Sequence, residues 1–430
     1  MSRIHHPNHL LIIGLDGVPV ELVRQYTENG TMPVLGELLR GHSPQAMTVS
    51  LPDVSAVSWS GFMTGRDSGY HGIFGFTDLE EHSYRVRFPD SRDLRETPFF
   101  MQGNRRSIVV NLPATYPARP FKGILISGFV APNLQKAVWP QELYPLVKKS
   151  GYVVDVDFGQ AHKEPERFLS DLYTTLRQRL NLSLHLMRHE KWNLFMFTVT
   201  GTDRLHHFFF DAWNRNDHPR HKDFVDYYME LDKVLGELLM EARRHKPLEW
   251  LILSDHGFES LVTEVNINPL LREWGYAMPE AADAEGMRLP VSHSHAFALD
   301  PGRIYLNTRN RFPSGRVEPR EKKRLMDELT TGFCGFHFNN RPVIRAVHRA
   351  EEIYGLPLRH RGPDLVLEGM PGFDLKAGFS RQSAFHSDRF RGTHRRDNAF
   401  ISCSQPGLIP RNPTIFQVRN VIEQMLESRD

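Results

Sequence analysis

The chain has 430 residues, more than the ~100–200 of a typical domain, which predicts one large α/β unit or a core with a subdomain. Hydrophobic residues make up 40% and charged residues 24%, a composition that excludes wholesale disorder. The 53 basic and 51 acidic side chains give a net charge of +2, without the cationic excess typical of nucleic-acid-binding proteins. We therefore expect no nucleic-acid-binding surface.

The beginning of the sequence and its cysteines bear on the cellular compartment. Residues 1–8 are polar, and the apolar run that follows is too short for a secretory signal. No apolar stretch reaches the ~18 residues of a membrane span. Cys334 and Cys403 are too few for a disulfide framework, and we expect both to be buried, reduced thiols. The sequence predicts a soluble cytoplasmic protein and leaves its oligomeric state open.

Short apolar runs alternate with amphipathic segments along the first 257 residues. The runs are typical of strands buried on both faces and cover residues 9–15, 107–110, 123–126, 193–199 and 249–253. Helical stripes lie between them, such as Leu169, Leu172, Leu176 and Leu180. This alternation predicts an α/β fold whose mainly parallel central sheet is flanked by helices on both faces.

After Gly257 the pattern changes. A short helix is predicted over 266–274, an Ala-rich loop over 279–290, strands over 303–306 and 343–347, and a helix over 318–329. A strand over 399–403 and a final amphipathic helix then resume the earlier pattern. We interpret 258–390 as an inserted cap subdomain, and 1–257 with 391–430 as the catalytic α/β core.

Acidic and histidine side chains fall at or near the carboxyl ends of the predicted strands, where parallel sheets bind ligands. The set comprises Asp16, Asp203, His207, Asp255 and His256, together with His394, which immediately precedes the strand over 399–403. Each residue alone has an ordinary structural explanation, because an aspartate after a strand often caps a helix and a single histidine is usually structural. Together, three carboxylates at one sheet edge need a balancing cation, and mixed nitrogen and oxygen ligands suit Zn²⁺ or Mn²⁺.

A second pattern surrounds Ser55. The turn-forming pair Pro52-Asp53 precedes it, and an apolar segment that ends at Gly65 follows. This places Ser55 at a helix N-terminus, where backbone N–H groups and the helix dipole favour an anion. An ordinary N-cap serine would explain the same sequence without any chemistry.

Five motifs occur in an order that resembles the alkaline phosphatase superfamily, in particular its type I phosphodiesterase/nucleotide pyrophosphatase branch and related bacterial phosphohydrolases. They lie at 14–17 (Gly-Leu-Asp-Gly), 55–74, 202–207, 254–257 (Ser-Asp-His-Gly) and 392–394 (Gly-Thr-His). The resemblance implies an alkaline-phosphatase-like fold and a serine or threonine nucleophile, a role that Ser55 fits.

The resemblance also implies a ligand set for two metal ions. Asp16, Asp255, His256 and the Ser55 oxygen would surround one ion, and Asp203, His207 and His394 would surround the other. Ser58 and Val57 depart from the family pattern, which usually has an asparagine that binds a phosphoryl oxygen and a proline at these positions. These departures leave open whether the substrate is a nucleotide.

The sequence therefore predicts a hydrolase of phosphate esters that uses two divalent ions, Zn²⁺ or alternatively Mn²⁺, and forms a phosphoseryl intermediate on Ser55. We favour a small phosphodiester substrate, with phosphomonoesters and phosphonate esters as alternatives. A phosphomutase or phosphotransferase of the same superfamily and a non-catalytic binding protein also remain alternatives. Candidate substrate contacts are Ser58, His295 and Lys376, whereas Arg204 and Arg391 are either substrate contacts or solvated surface residues.

Overall fold

A computed structural model describes residues 9–278, 289, 291–386 and 390–427. The expectations for residues 1–8 and for most of the loop over 279–290 lie outside these ranges. None of the helices in the described ranges has the length and apolar character needed to cross a membrane.

The described part of the chain alternates strands and helices. Its strands are β1 (His9–Leu15), β2 (Gln45–Met47), β3 (Asp78–Leu79), β4 (Val86–Arg87), β5 (Ser107–Leu112), β6 (Gly123–Ser127), β7 (Val138–Trp139), β8 (Leu194–Val199), β9 (Leu248–Leu253), β10 (Gly257–Ser260), β11 (Thr263–Asn266), β12 (Ala296–Leu299), β13 (Arg303–Leu306), β14 (His337–Phe338), β15 (Arg341–Pro342), β16 (Ile344–Arg349), β17 (Leu365–Gly369), β18 (Phe373–Lys376), β19 (Phe385–His386), β20 (Gly392–Arg395) and β21 (Ala399–Cys403). Its helices are α1 (Val20–Glu28), α2 (Pro33–Leu38), α3 (Ser55–Thr64), α4 (Ser68–His71), α5 (Tyr144–Lys149), α6 (Pro165–His189), α7 (Gly201–Phe209), α8 (His221–Ala242), α9 (Ile267–Glu273), α10 (Lys322–Cys334), α11 (Ala350–Ile353) and α12 (Val418–Glu427).

The central sheet has the strand order β2-β21-β9-β1-β8-β5-β6-β7 in the described ranges. The five strands from β9 to β6 run parallel, while β21, β2 and β7 are antiparallel to their neighbours. The predicted α/β fold with a mainly parallel sheet is confirmed. Because the five parallel strands end at one edge, the residues that follow them converge there.

Helices cover both faces of this sheet, and the side chains of β1 show how. Leu11 and Ile13 point to a core that they share with α6 and α8. Leu10 and Ile12 point to a second core, which includes residues of α3 and α12. All four side chains are fully buried, which explains why the strand appears in the sequence as a continuous apolar run.

A smaller sheet of order β12-β13-β17-β16 lies within 258–390, with α9 and α10 contributing to its apolar core. The proposed boundaries of this cap subdomain stay a prediction. Two contacts reach beyond them. Strand β10 pairs with β20, and Tyr84, in the β3–β4 hairpin, stacks on Phe312 with ring centroids 5.4 Å apart.

Three sequence expectations differ in detail from the structure. The helix expected over 318–329 begins at Lys322, because a 3₁₀ turn over Pro319–Glu321 precedes it. His394 lies within a separate strand, β20, which precedes β21 and pairs with β10. The expectation for Cys334 is wrong, since it ends α10 at the exposed surface, whereas Cys403 is buried in the sheet.

Candidate metal centre

The carboxyl ends of three adjacent strands position most of the candidate ligands. Asp16 directly follows β1, and Asp255 with His256 follows β9. After β8 the chain turns at once into α7, where Asp203 and His207 lie one helical turn apart. The last candidate, His394, comes from β20, which pairs with β10 beside the same edge.

One group of atoms surrounds Nε2 of His256. This nitrogen lies 3.5 Å from Asp16 Oδ1, 3.5 Å from Asp255 Oδ2 and 3.2 Å from Ser55 Oγ. Ser55 Oγ itself donates a hydrogen bond of 3.3 Å to Asp16 Oδ1. Two carboxylates, one imidazole and one hydroxyl therefore point at a common centre.

A second group surrounds Oδ1 of Asp203. This oxygen lies 3.4 Å from His207 Nε2 and 3.3 Å from His394 Nε2, and the two nitrogens are 3.1 Å apart. The two groups adjoin, because His256 Nε2 is 3.9 Å from the same oxygen.

Both groups fit a divalent cation. Four ligand atoms in tetrahedral geometry, each bound at 2.0–2.2 Å, lie about 3.3–3.6 Å apart, close to the distances in each group. Asp203 Oδ1 and Asp255 Oδ2 are buried without a hydrogen-bond partner among the described residues. Nδ1 of His256 lies 3.0 Å from the Gly257 carbonyl, and Nδ1 of His394 lies 3.0 Å from the Asp53 carbonyl, contacts that leave Nε2 free to bind a metal.

Without a bound cation, burial and close contact shift the pKa values of Asp255, His256 and His394. Burial and the neighbouring Asp16 raise the pKa of the Asp255 carboxyl well above its usual range. Although burial lowers the pKa of His256, the carboxylates of Asp255 and Asp16 outweigh it and raise that pKa to about 10. Burial lowers the pKa of His394 to about 3, so its imidazole is neutral and able to act as a ligand.

Each of the three carboxylates is held through its other oxygen. The indole Nε1 of Trp59 donates to Asp16 Oδ2 at 3.0 Å, and the backbone N–H of Gly17 donates to Asp255 Oδ1 at 3.2 Å. The Arg204 guanidinium donates to Asp203 Oδ2 at 2.9 Å. Sequence reasoning missed these supports; only the position of Trp59, one helical turn after Ser55, offered a signal.

Two cavities open beside Ser55. A cleft of about 320 Å³ reaches from His207 and His394 toward charged side chains that include Arg345 and Lys376. A second cavity of about 310 Å³ begins at Ala56 and is mainly apolar. Its lining includes Phe76, Phe88, Tyr116, Phe129 and Val130. Phe76 belongs to both cavities and lies between them.

The candidate substrate contacts are placed differently from one another. Lys376 lines the cleft of about 320 Å³, where it pairs with Asp374 at 2.8 Å. Ser58 is fully buried and shares a 2.6 Å hydrogen bond with Ser50, and it lines neither cavity. His295 is exposed just before β12, also outside the residues that line the two cavities. Lys376 therefore lies in the cleft and Ser58 and His295 lie outside both cavities, and a substrate contact for each of the three stays a prediction.

Arg391, Arg204 and His206 differ in their surroundings. Arg391 is exposed, in agreement with a solvated role, whereas Arg204 is largely buried and ion-paired. His206 points away from the metal groups, because its two ring nitrogens contact the Gly17 carbonyl and the Tyr228 hydroxyl at 2.9 and 2.7 Å.

Comparison with known families identifies the chain's relatives. The model of a family described as type I phosphodiesterase / nucleotide pyrophosphatase matches residues 10–397. The chain therefore belongs to this family of phosphate-ester hydrolases, as its motifs predicted. A search of curated proteins finds no significant match.

Solved structures show the same fold at low identity. Phosphonoacetate hydrolase from Sinorhizobium meliloti 1021, in complex with phosphonoacetate, is 16% identical with a TM-score of 0.67, covering 98% of this chain and 96% of that chain. Murine ectonucleotide pyrophosphatase/phosphodiesterase 5, in complex with AMP, is 14% identical with a TM-score of 0.56, covering 97% and 95%. These similarities support the alkaline-phosphatase-like architecture.

Proposed function

We propose that this chain is a two-metal-dependent hydrolase of phosphate esters with Ser55 as its nucleophile. The observation that carries the proposal is the position of Ser55 Oγ, within 3.3 Å of ligand atoms of both Asp16 and His256. Ser55 is also the first residue of α3, where the helix dipole favours a phosphoryl anion. Asp16, Asp255, His256 and Ser55 would hold one cation, and Asp203, His207 and His394 the other.

The residues of the chain account for two displacement steps. Two divalent cations would lower the pKa of a nearby hydroxyl and neutralise charge on the phosphoryl oxygens, and Zn²⁺ suits this ligand set, with Mn²⁺ as the alternative. Ser55 loses its proton to solvent, and its Oγ bonds to phosphorus as the bond to the leaving oxygen breaks. The leaving group takes up a proton from solvent. Water then displaces Ser55, whose oxygen regains a proton, and the remaining phosphate is released.

The two cavities favour a diester over a monoester. A diester has two substituents on phosphorus, and the cleft with charged side chains and the apolar cavity offer each of them a separate space. A monoester would fill only one of these spaces. The cavities therefore suit one polar and one apolar substituent.

A substrate and metal screen tests this function. Protein stripped of metal by a chelator is reconstituted with Zn²⁺ or Mn²⁺ and assayed with bis-p-nitrophenyl phosphate, p-nitrophenyl phosphate and an aryl phosphonate ester. We expect two metal equivalents per chain and the fastest turnover with the diester. Asp255→Ala and His207→Ala should each abolish turnover while the protein stays folded.

Three outcomes would contradict the proposal. One equivalent at saturation would exclude the two-metal centre, and near-native turnover of either variant would contradict the ligand assignment. Two equivalents without turnover of any ester would favour a non-catalytic binding protein.

A further inference from the structure

Arg204 is a mostly buried cation that bridges two carboxylates beside the metal centre. Its guanidinium donates to Asp203 Oδ2 at 2.9 Å and, through two nitrogens, to Asp155 Oδ2 at 2.9 and 2.7 Å. The side chains of Arg204 and Asp155 are 13% and 10% exposed, so this bridge is shielded from solvent. Such geometry makes strong, directional hydrogen bonds.

The bridge is also fixed from its sides. The guanidinium carbon lies 4.5 Å from the ring centroid of Phe129 and 4.9 Å from that of Phe158. Asp155 is itself held, because its Oδ1 accepts the backbone N–H of Val156 at 3.0 Å. Arg204 therefore has little freedom to leave Asp203.

This arrangement gives the two oxygens of Asp203 different roles. Oδ2 is occupied by Arg204, while Oδ1 faces His207 and His394 and has no hydrogen-bond partner among the described residues. A carboxylate bound at one oxygen cannot turn without breaking a buried, charge-assisted hydrogen bond. The orientation of Oδ1 thus depends on Arg204.

We propose that Arg204, anchored by Asp155, is a positioning residue. It holds Asp203 so that one carboxylate oxygen faces the metal site that Asp203 shares with His207 and His394. This inference rests on the proposed function, since it assumes that the site binds a divalent cation. It assigns Arg204 no contact with substrate. Asp155 also cancels the positive charge that would otherwise repel the cation.

The test must separate the effect of Arg204 on the orientation of Asp203 from the effect of its positive charge on cation binding. Replacing Arg204 alone would remove a positive charge near the metal and thereby favour cation binding, which would mask the loss of orientation. The double variant Arg204→Met/Asp155→Asn removes one charge of each sign and keeps the net charge. A matched control is Arg106→Met/Glu190→Gln, which removes an ion pair of 2.8 Å next to the amino end of β5, away from the centre.

Calorimetric titration of the metal-free proteins with Zn²⁺ gives the readout. We expect two sites in the wild type and in the control, and in the double variant about 10–100-fold weaker binding at one site only. The site that stays tight should have the affinity of the site that remains in His207→Ala. If the double variant does not fold, Arg204→Lys keeps the charge but lacks the planar fork, and should weaken the same site at least threefold.

The outcomes distinguish this inference from the proposed function. If both sites keep their affinity in the double variant, the bridge serves only stability, and this inference fails while the proposed function stands. The same holds for Arg204→Lys where it replaces the double variant. Equal weakening of both sites would also overturn it, since Arg204 contacts only one ligand carboxylate. A wild type that binds neither Zn²⁺ nor Mn²⁺ would overturn both proposals.

Discussion

At the scale of single residues, substitution of Ser55 distinguishes a nucleophile from a serine that only caps a helix. Val54 holds the N-cap position of α3, and no side-chain cap bond is made there, so the Ser55 hydroxyl is not needed to cap the helix. We expect Ser55→Ala to lower kcat by several orders of magnitude while both metals still bind. Ser55→Thr keeps a hydroxyl and should retain measurable turnover if the added methyl group fits.

The matched control for Ser55 is Ser60→Ala on the same helix. Ser60 is buried and donates to the Ala56 carbonyl at 2.7 Å, away from the metal ligands, so its removal should leave kcat near the wild-type value. Rapid acid quench during turnover of labelled substrate should trap phosphate on Ser55. Normal kcat in Ser55→Ala, or no trapped phosphate under conditions that accumulate it, would refute the nucleophile assignment.

His71 lies in one of the family motifs but has a structural environment. It is fully buried, and its Nδ1 accepts the Ile73 backbone N–H at 3.2 Å, while burial lowers its pKa to about 3. Since the unfolded chain binds this proton at about pH 6.5, acid favours unfolding. We expect His71 to contribute a loss of about 1.4 kcal/mol in the free energy of unfolding per pH unit below 6.5, down to about pH 3.

Denaturant unfolding of metal-free wild type and His71→Asn between pH 7.5 and 5 checks this contribution. Asparagine can accept the Ile73 N–H but does not titrate in this range, so the variant should be less stable at pH 7.5 and the difference should shrink as the pH falls. A difference that stays constant with pH would show that His71 does not account for acid sensitivity.

At the scale of elements, the contact between β1 and α3 places Ser55 over the sheet. A Cβ atom on Gly14 would lie 2.7 Å from Cη2 of Trp59 and 3.2 Å from Cγ2 of Thr198. Gly14→Ala should therefore overpack this contact and cost about 1–3 kcal/mol of stability. Because Trp59 also holds Asp16, the affinity of the metal shared by Asp16 and His256 should fall as well.

Gly407→Ala is the control for this packing prediction, since no atom lies within 4 Å of the added Cβ. It should change neither stability nor metal affinity. If Gly14→Ala behaved like Gly407→Ala, α3 would tolerate a shift away from β1, and the close packing would not be what positions Ser55.

The same elements show what a sequence can and cannot predict. Strands β1 and β8 were predictable because burial on both faces leaves a continuous apolar run, and Asp16 was predictable because it ends such a run. The proximity of Asp203 and His207 followed from helical periodicity. The bridge from Arg204 to Asp155 was not predictable, because it joins residues of distant segments through a loop whose path no local pattern encodes.

At the scale of the whole molecule, the candidate metal ligands come from widely separated parts of the chain. Asp16 follows the first strand and His394 belongs to one of the last, while Asp203 and Asp255 follow β8 and β9, the two strands on either side of β1. Cations bound there would link these segments at the carboxyl ends of the parallel strands. They would also offset the effects of burial and of the neighbouring Asp16, which raise the pKa of Asp255.

Metal binding should therefore stabilise the fold as a whole. A ligand that binds only the folded state adds about 2.7 kcal/mol at a free concentration 100 times its Kd, so two such sites together should raise Tm measurably. We expect chelator-treated protein to unfold at a lower Tm, Zn²⁺ to restore Tm in a concentration-dependent way, and His207→Ala to recover only part of the increase. Arg106→Met/Glu190→Gln should recover the full increase, because it leaves all ligands in place. A Tm that neither chelation nor Zn²⁺ or Mn²⁺ alters would mean that the converging carboxylates and imidazoles do not bind these metals, even if weak hydrolysis were detected.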